Sequence, residues 1–269
     1  MKKVITFVLI LMLSLTVIAE QIPDGTSIAD IFPDRSVAIT IRDILGKLSI
    51  RATVSQNDLD SITKLAIFPD EDHCVENLEG IQYLHNLEEL SIYEGTYIVK
   101  ERRQYRHKLT EVPDWIGSMQ SLKRIDFSGT DISLIPDAIC SLQGLEKLYL
   151  HGTEITSLPE DIGALSNLEM LDLGGTHITT LPDSIGLLNN LWSLTLTSSD
   201  IEFLPDSICD LSNLIELLLS YTPIERLPND FGKLSKLDSL NIKNTNITEL
   251  PDSFYNMSIR FLHTDLTFD

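Results

Sequence analysis

Basic residues are scarce in this chain. Twenty Lys and Arg stand against forty Asp and Glu, a formal net charge of −20. So acidic a surface repels phosphate backbones, which excludes nucleic acid as a partner and disfavours an anionic membrane surface. Cysteine is scarce too: Cys74, Cys140 and Cys209 are the three, an odd count that leaves at least one thiol without an internal partner. The six histidines (His73, His85, His107, His151, His177 and His263) have no metal-ligand spacing with a cysteine or with one another. There is no G-x-S-x-G, no phosphate-cradling glycine loop and no segment left over for a catalytic core. The expectation is a chain that is not an enzyme and has no cofactor, metal or catalytic residue. Asp172 and His151 fall on neighbouring units of the repeat described below, but no nucleophile completes a set with them, so they are read as a polar contact pair.

Long apolar runs are missing except at the start. Residues 4–18 are apolar apart from scattered Ser and Thr, and follow Lys2 and Lys3. A run of about 15 is short for a membrane span. With small residues at Val17 and Ala19, residues 1–19 read as a secretory signal peptide, residues 20–26 as a linker, and the mature chain as having no membrane contact. An uncleaved anchor is the alternative.

What the chain has is a period. Leu122, Leu145, Leu168, Leu191, Leu214 and Leu237 each open a 23-residue unit, L-x-x-[LI]-x-[LIF]-x-x-[TS]-x-I-x-x-[LI]-P-x-x-[IF]-x-x-[LM]. Pro136, Pro159, Pro182, Pro205, Pro228 and Pro251 recur in step. Such a period marks a solenoid, in which each coil buries its apolar edge against its neighbours. The expected fold is an α/β solenoid: a leucine-rich repeat horseshoe with a parallel concave β-sheet and an N-terminal helical cap. In the unit 168–190, Leu168, Leu171 and Leu173 should point inward from a strand, leaving Glu169, Met170, Asp172 and Gly174 to solvent. Thr176, with Thr130, Thr153, Ser199, Thr222 and Thr245 in step, should bond backbone groups of the turn or the next coil. Pro182 should start one helical turn that returns Ile185 and Leu188 to the core. The acids after the prolines (Asp114, Asp137, Glu160, Asp183, Asp206 and Asp252, interrupted by Asn229) are explained by a helix N-terminus better than by a cation-binding ladder.

Cys140 and Cys209 occupy one repeat position three coils apart. At about 4.8 Å per coil they lie roughly 14 Å from each other, too far for a disulfide. They read as buried small hydrophobes where sibling coils carry Gly163, Gly186 and Gly232.

The period divides the chain. Residues 27–61 fit short amphipathic helices that cap the first coil, 62–258 hold the repeats, and 259–269 form a partial terminal strand. One repeat is interrupted: Leu87 to Leu109 spans 22 positions where siblings use 10, so 12 residues are inserted within 93–108. The insertion carries Lys100, Arg102, Arg103, Arg106 and Lys108 among Tyr93, Tyr97 and Tyr105, a basic, tyrosine-rich patch on an acidic protein.

A resemblance rests on the strings Ile31-Phe32-Pro33-Asp34, Val37-Ala38, Ile41, Leu45-Gly46-Lys47, Thr53-Val54-Ser55-Gln56 and Asp58-Leu59-Asp60. They resemble the N-terminal helical cap of internalin-type bacterial surface proteins, and residues 78–87 are similar to that family's first repeat. The likeness covers 28–92. From Leu122 the chain departs from it, because the family's usual repeat is one residue shorter and carries asparagine at the turn. The resemblance implies a Gram-positive-type binding protein, secreted or at the cell surface. It does not imply a particular ligand.

The candidate ligand-binding residues come from two places. The insertion contributes Tyr93, Tyr97, Arg102, Arg103, Tyr105 and Arg106, since insertions in repeat arrays often lie on the binding side. The concave wall contributes Tyr149, His151, Met170, Asp172, Trp192, Leu218 and Tyr221, read as solvent-facing strand positions, with Trp192 one place before its strand and partly buried, and bulkier than an idle wall needs. The expectation is a monomeric recognition module for a protein or glycan ligand. The alternatives are a secreted effector that acts by binding inside a host cell and a non-binding spacer of the cell envelope.

Overall fold

The computed structural model describes residues 21–68, 74–92 and 107–267. The repeated leucines form nine short strands: β1 (Lys64–Ile67), β2 (Glu89–Ile92), β3 (Arg124–Asp126), β4 (Lys147–Tyr149), β5 (Met170–Asp172), β6 (Ser193–Thr195), β7 (Glu216–Leu218), β8 (Ser239–Asn241) and β9 (Phe261–His263). They build one parallel sheet in chain order. Its register stacks like on like: Leu148, Leu171, Leu194, Leu217 and Leu240 are successive partners. Those leucines are buried, and Leu150, Leu173, Leu196 and Leu219 follow them into the core. A single apolar core runs from the cap to the last full coil.

The return turns are single helical turns, as expected, and are of the tight 3-10 kind. Residues Asp183–Leu187 form a 3-10 helix, entered from Pro182 at φ −67° and ψ 151°. The Pro182 carbonyl accepts from the Ile185 amide at 3.0 Å, and Ile185 accepts from Leu188 at 3.1 Å. Bonds to the third residue close the turn in few residues, which suits a 23-residue coil. The N-cap is Pro182, which offers no side-chain capping hydrogen bond, and Asp183 takes the first helical position. What remains for these acids is the favourable charge at a turn's N-terminus.

The hydroxyl column satisfies the strand exits. Thr130, Thr153, Thr176, Ser199, Thr222 and Thr245 donate to the carbonyls of Phe127, Leu150, Leu173, Leu196, Leu219 and Ile242 at 2.7–2.9 Å. Most of these side chains are buried, so the bonds remove a desolvation penalty that isolated carbonyls would carry. Gly174 corrects one expectation. It is buried, and an added Cβ would lie 2.7 Å from His151 Nδ1 and 3.1 Å from the Thr197 carbonyl.

The cap holds three short helices, α1 (Ile28–Ile31), α2 (Arg35–Ile44) and α3 (Gln56–Asp60). Asp34 joins the cap to the solenoid. Its Oδ1 accepts from the Ser36 and Val37 amides at the start of α2, and its Oδ2 accepts from the Glu76 and Asn77 amides at 2.8 and 3.3 Å. Gly80, at φ +93°, lets this junction close. A Cβ there would lie 2.2 Å from the Ile31 carbonyl oxygen. Among the described residues no helix is long and apolar enough to cross a membrane.

Candidate functional site on the concave sheet

Alternation along each strand presents two columns outside the core. The first reads Glu89, Arg124, Lys147, Met170, Ser193 and Glu216 from β2 to β7. The second reads Ser91, Asp126, Tyr149, Asp172, Thr195 and Leu218. The side chains of β3–β5 interlock. The Arg124 guanidinium carbon lies 4.1 Å from the Tyr149 ring centroid, while Nη2 reaches Asp126 Oδ2 at 2.8 Å. The Tyr149 hydroxyl donates to the Met170 sulfur at 3.4 Å.

Two carboxylates on this face also shape the backbone. Asp126 Oδ1 accepts from the amide and hydroxyl of Ser128, and Asp172 Oδ1 accepts from the Gly174 amide at 2.9 Å. Burial raises the Asp172 pKa, opposed by the Gly174 amide and by His151, and Asp126 raises it further. At neutral pH this ionised carboxylate is under-solvated. A cation or a hydrogen-bond donor brought to it would relieve that penalty. His151 Nδ1 is 4.0 Å from Asp172 Oδ1, an electrostatic neighbour beyond hydrogen-bond range.

The structure brings Tyr149, His151, Met170 and Asp172 together, and places Trp192, Leu218 and Tyr221 apart from them. Leu218 lies on the second column, half-buried, between Thr195 and Asn241. Trp192 precedes β6, in step with Glu169 and Ile215, and is half-buried. Tyr221 follows β7 in the turn, at φ +60° and 63% exposed. Trp192 thus stands one place before its strand, as expected, and the strand placement expected for Tyr221 is corrected: it lies in the turn after β7.

Arg124 and Asp126 belong to the cluster and were missed, although stepping back 23 residues from Lys147 and Tyr149 finds both. Tyr93, Tyr97, Arg102, Arg103, Tyr105 and Arg106 lie outside the described residues, as do residues 1–19. The roots of the insertion are placed. Ile92 ends β2 beside β3, and His107 is fully buried on the return. His107 Nδ1 accepts from the Val75 amide at 2.9 Å, which leaves Nε2–H to donate to the Ile67 carbonyl at 3.2 Å. That neutral imidazole ties the chain just after the insertion to the first coil.

Comparisons with known proteins agree with this architecture. The family described as a leucine-rich repeat region matches residues 145–219, and a leucine-rich repeat matches residues 121–142. The family described as the N terminus of bacterial adhesion/invasion proteins matches residues 17–60. Internalin H of Listeria monocytogenes is 45% identical over 69 residues, which are 26% of this chain and 12% of that protein. Internalin C of the same species is 34% identical over 74 residues, 28% of this chain and 24% of that protein. The chain therefore spans at most a quarter of the curated relatives it matches. Among solved structures, internalin C2 of L. monocytogenes superposes with a TM-score of 0.78 at 26% identity, covering 91% of this chain and 100% of that one. An internalin-like protein of the same species gives 0.69 at 25% identity, covering 91% and 70%. By its repeat, its stacked parallel strands and these likenesses, the chain is a bacterial leucine-rich repeat protein with an internalin-like N-terminal cap.

Proposed function

We propose that the chain is an exported recognition module, secreted or held at the cell surface, that binds a protein ligand through the concave face. Internalin-like leucine-rich repeat proteins are typically non-enzymatic interaction modules. The observation that carries the reading is the Arg124–Tyr149 stack. Asp126 fixes the guanidinium over the ring, so Arg124 and Tyr149 are held in place before any partner arrives. Preorganised side chains lose less entropy on binding, and arginine and tyrosine dominate interface energetics. Met170 extends the apolar surface, and Asp172 supplies an under-solvated anion for a donor on the ligand. The insertion residues Tyr93, Tyr97, Arg102, Arg103, Tyr105 and Arg106 are included in the proposed site on their chemistry, since tyrosine and arginine dominate interface energetics.

The test is a pull-down with labelled wild-type chain from host and bacterial surface extracts, beside an Arg124→Ser/Tyr149→Ser variant of unchanged circular dichroism. A protein captured by the wild type and lost with the variant is the expected result. Capture by both would move the site off β3–β5, and capture of nothing would leave an envelope spacer.

A further inference from the structure

A second feature lies on the flank where each coil descends to its proline, away from the concave sheet. The exposed residue two places before that proline reads, coil by coil, Leu134, Ser157, Thr180, Phe203, Arg226 and Glu249. The residue just after it reads Asp137, Glu160, Asp183, Asp206, Asn229 and Asp252. Both series change character in one coil. Where every sibling adds a carboxylate, this coil has the neutral Asn229, and three residues earlier it adds the cation Arg226. The preceding coil contributes Phe203, 47% exposed. Between the two coils lies a cleft of about 270 Å³ lined by these three residues with Asp206, Leu227 and Pro228. Among the described residues Arg226 has no carboxylate partner within ion-pair distance, in a chain of net charge −20.

An unpaired guanidinium beside an amide and an aromatic ring suits a carboxylate attached to an apolar group. Asp206 on the same cleft disfavours a bare anion and favours one with an N–H close by. The C-terminal residue of a peptide has that pattern, because its amide N–H is two bonds from its carboxylate carbon. We infer that this cleft captures the free C-terminus of a peptide whose last residue is apolar. The carboxylate is held by Arg226 and the Asn229 side-chain amide, the N–H points to Asp206, and the side chain lies against Phe203 and Pro228. The site is independent of the concave-face reading.

The experiment titrates the ¹⁵N-labelled full chain with acetyl-Gly-Gly-Leu bearing a free carboxylate. Its C-terminal amide and acetyl-Gly-Asp-Gly-amide are run beside it. The free acid should shift the Arg226 side-chain Nε–H resonance and the amides of 203–206 and 226–229. The leucine amide and the aspartyl peptide should bind about tenfold more weakly, and Arg226→Gln should weaken the free acid by a similar factor. Phe203→Ser should weaken it without abolishing the response to charge. Equal binding of the leucine amide would show that the carboxylate is not recognised. Equal binding of the aspartyl peptide would show that the terminus is not recognised, and absence of shifts at these residues would remove the site.

Discussion

Cys140 lies one coil before Asp161, and where a cysteine stands in that column the next coil's return turn is shortened. After Gly117, Gly163, Gly186 and Gly232, the following turns run five residues: Asp137–Ser141, Asp183–Leu187, Asp206–Asp210 and Asp252–Asn256. After Cys140 and Cys209 they run three, Ile162–Ala164 and Phe231–Lys233. A Cβ added at the four glycines would lie 2.1–2.4 Å from the carbonyl oxygen of Ala138, Ser184, Ser207 or Ser253 in the next coil. A cysteine therefore requires that carbonyl to sit elsewhere, and the residue there is Asp161 or Asp230, outside the helix. Gly186→Ala should overpack this contact and destabilise the fold by about 1–3 kcal/mol. Urea unfolding measures it, and an unchanged midpoint would mean that the coils slide apart freely.

The same packing governs thiol chemistry. Burial pushes the Cys140 thiol up to about 11, with Asp137 and Asp161 adding to the shift. Burial likewise pushes Cys209 up to about 11, with Asp230 and Asp206 adding. At pH 8 roughly one thiol in a thousand would be thiolate, so native Cys140 and Cys209 should resist iodoacetamide and react once the chain is unfolded. The sign for stability follows. The unfolded thiol loses its proton first, so the contribution of these groups is intact below about pH 8.5 and is lost as pH rises toward 11. Rapid native labelling at both positions would contradict the packing.

His177 bridges two coils on the surface. Its Nδ1 lies 2.8 Å from Asp200 and its Nε2 lies 3.3 Å from Glu154. The hydrogen bond that His177 donates to Asp200 is the main cause that raises its pKa, and the charges of Asp200 and Glu154 add to it. The pair therefore favours folding below the ordinary histidine range and loses that contribution as pH rises through the folded value. An NMR titration should show His177 deprotonating above its ordinary value, and Asp200→Asn should bring it back down. An unmoved titration in the variant would reassign the shift.

How much was legible divides by the range of the contact. The leucine register, the threonine column and the unbridged cysteines could be read because the 23-residue step makes each coil a copy of its neighbour. Asp34 was visible as part of a cap-like string, but its bonds to the amides of Glu76 and Asn77 join positions more than forty residues apart, with no period to connect them. Tyr221 sits three places beyond Leu218, in the turn after β7, so it falls off the strand columns that the period sets, whereas Arg124 and Asp126 stand on them one period before Lys147 and Tyr149. The tight return turn depends on the proline carbonyl accepting at the third residue, which a Pro-Asp string does not distinguish from an α-helical start.

Tyr221 shows what a column can reveal. Its siblings in step are Gly129, Gly152 and Gly175, at φ +73°, +66° and +64°, with Ser198 and Asn244 also left-handed. A tyrosine at φ +60° carries strain that glycine does not. Its ring is exposed, so little burial offsets that strain. Tyr221→Gly should stabilise the chain by about 1 kcal/mol, visible as a higher thermal midpoint. If Tyr221 contacts the ligand, the same variant should capture less of it. A lower midpoint would show that packing holds the ring where the turn alone would not.

Asp172 is the sharper test of the concave face, because stability and recognition should move in opposite directions. Asn241 occupies the same column and accepts from the Lys243 amide through Oδ1 at 3.1 Å, as Asp172 accepts from Gly174. Asp172→Asn therefore keeps the turn bond and removes only the charge. Burial raises the native pKa of Asp172, so the ionised carboxylate disfavours the folded state above the ordinary carboxylate range. The variant should melt higher at pH 7, and its advantage should shrink as pH falls through the carboxylate range and both proteins become neutral there. Capture of a ligand that donates to Asp172 should weaken at the same time. A variant that melts lower at pH 7 would mean that Arg124 and His151 already compensate the charge, and the cluster would then be a structural brace with no unmet demand for a partner.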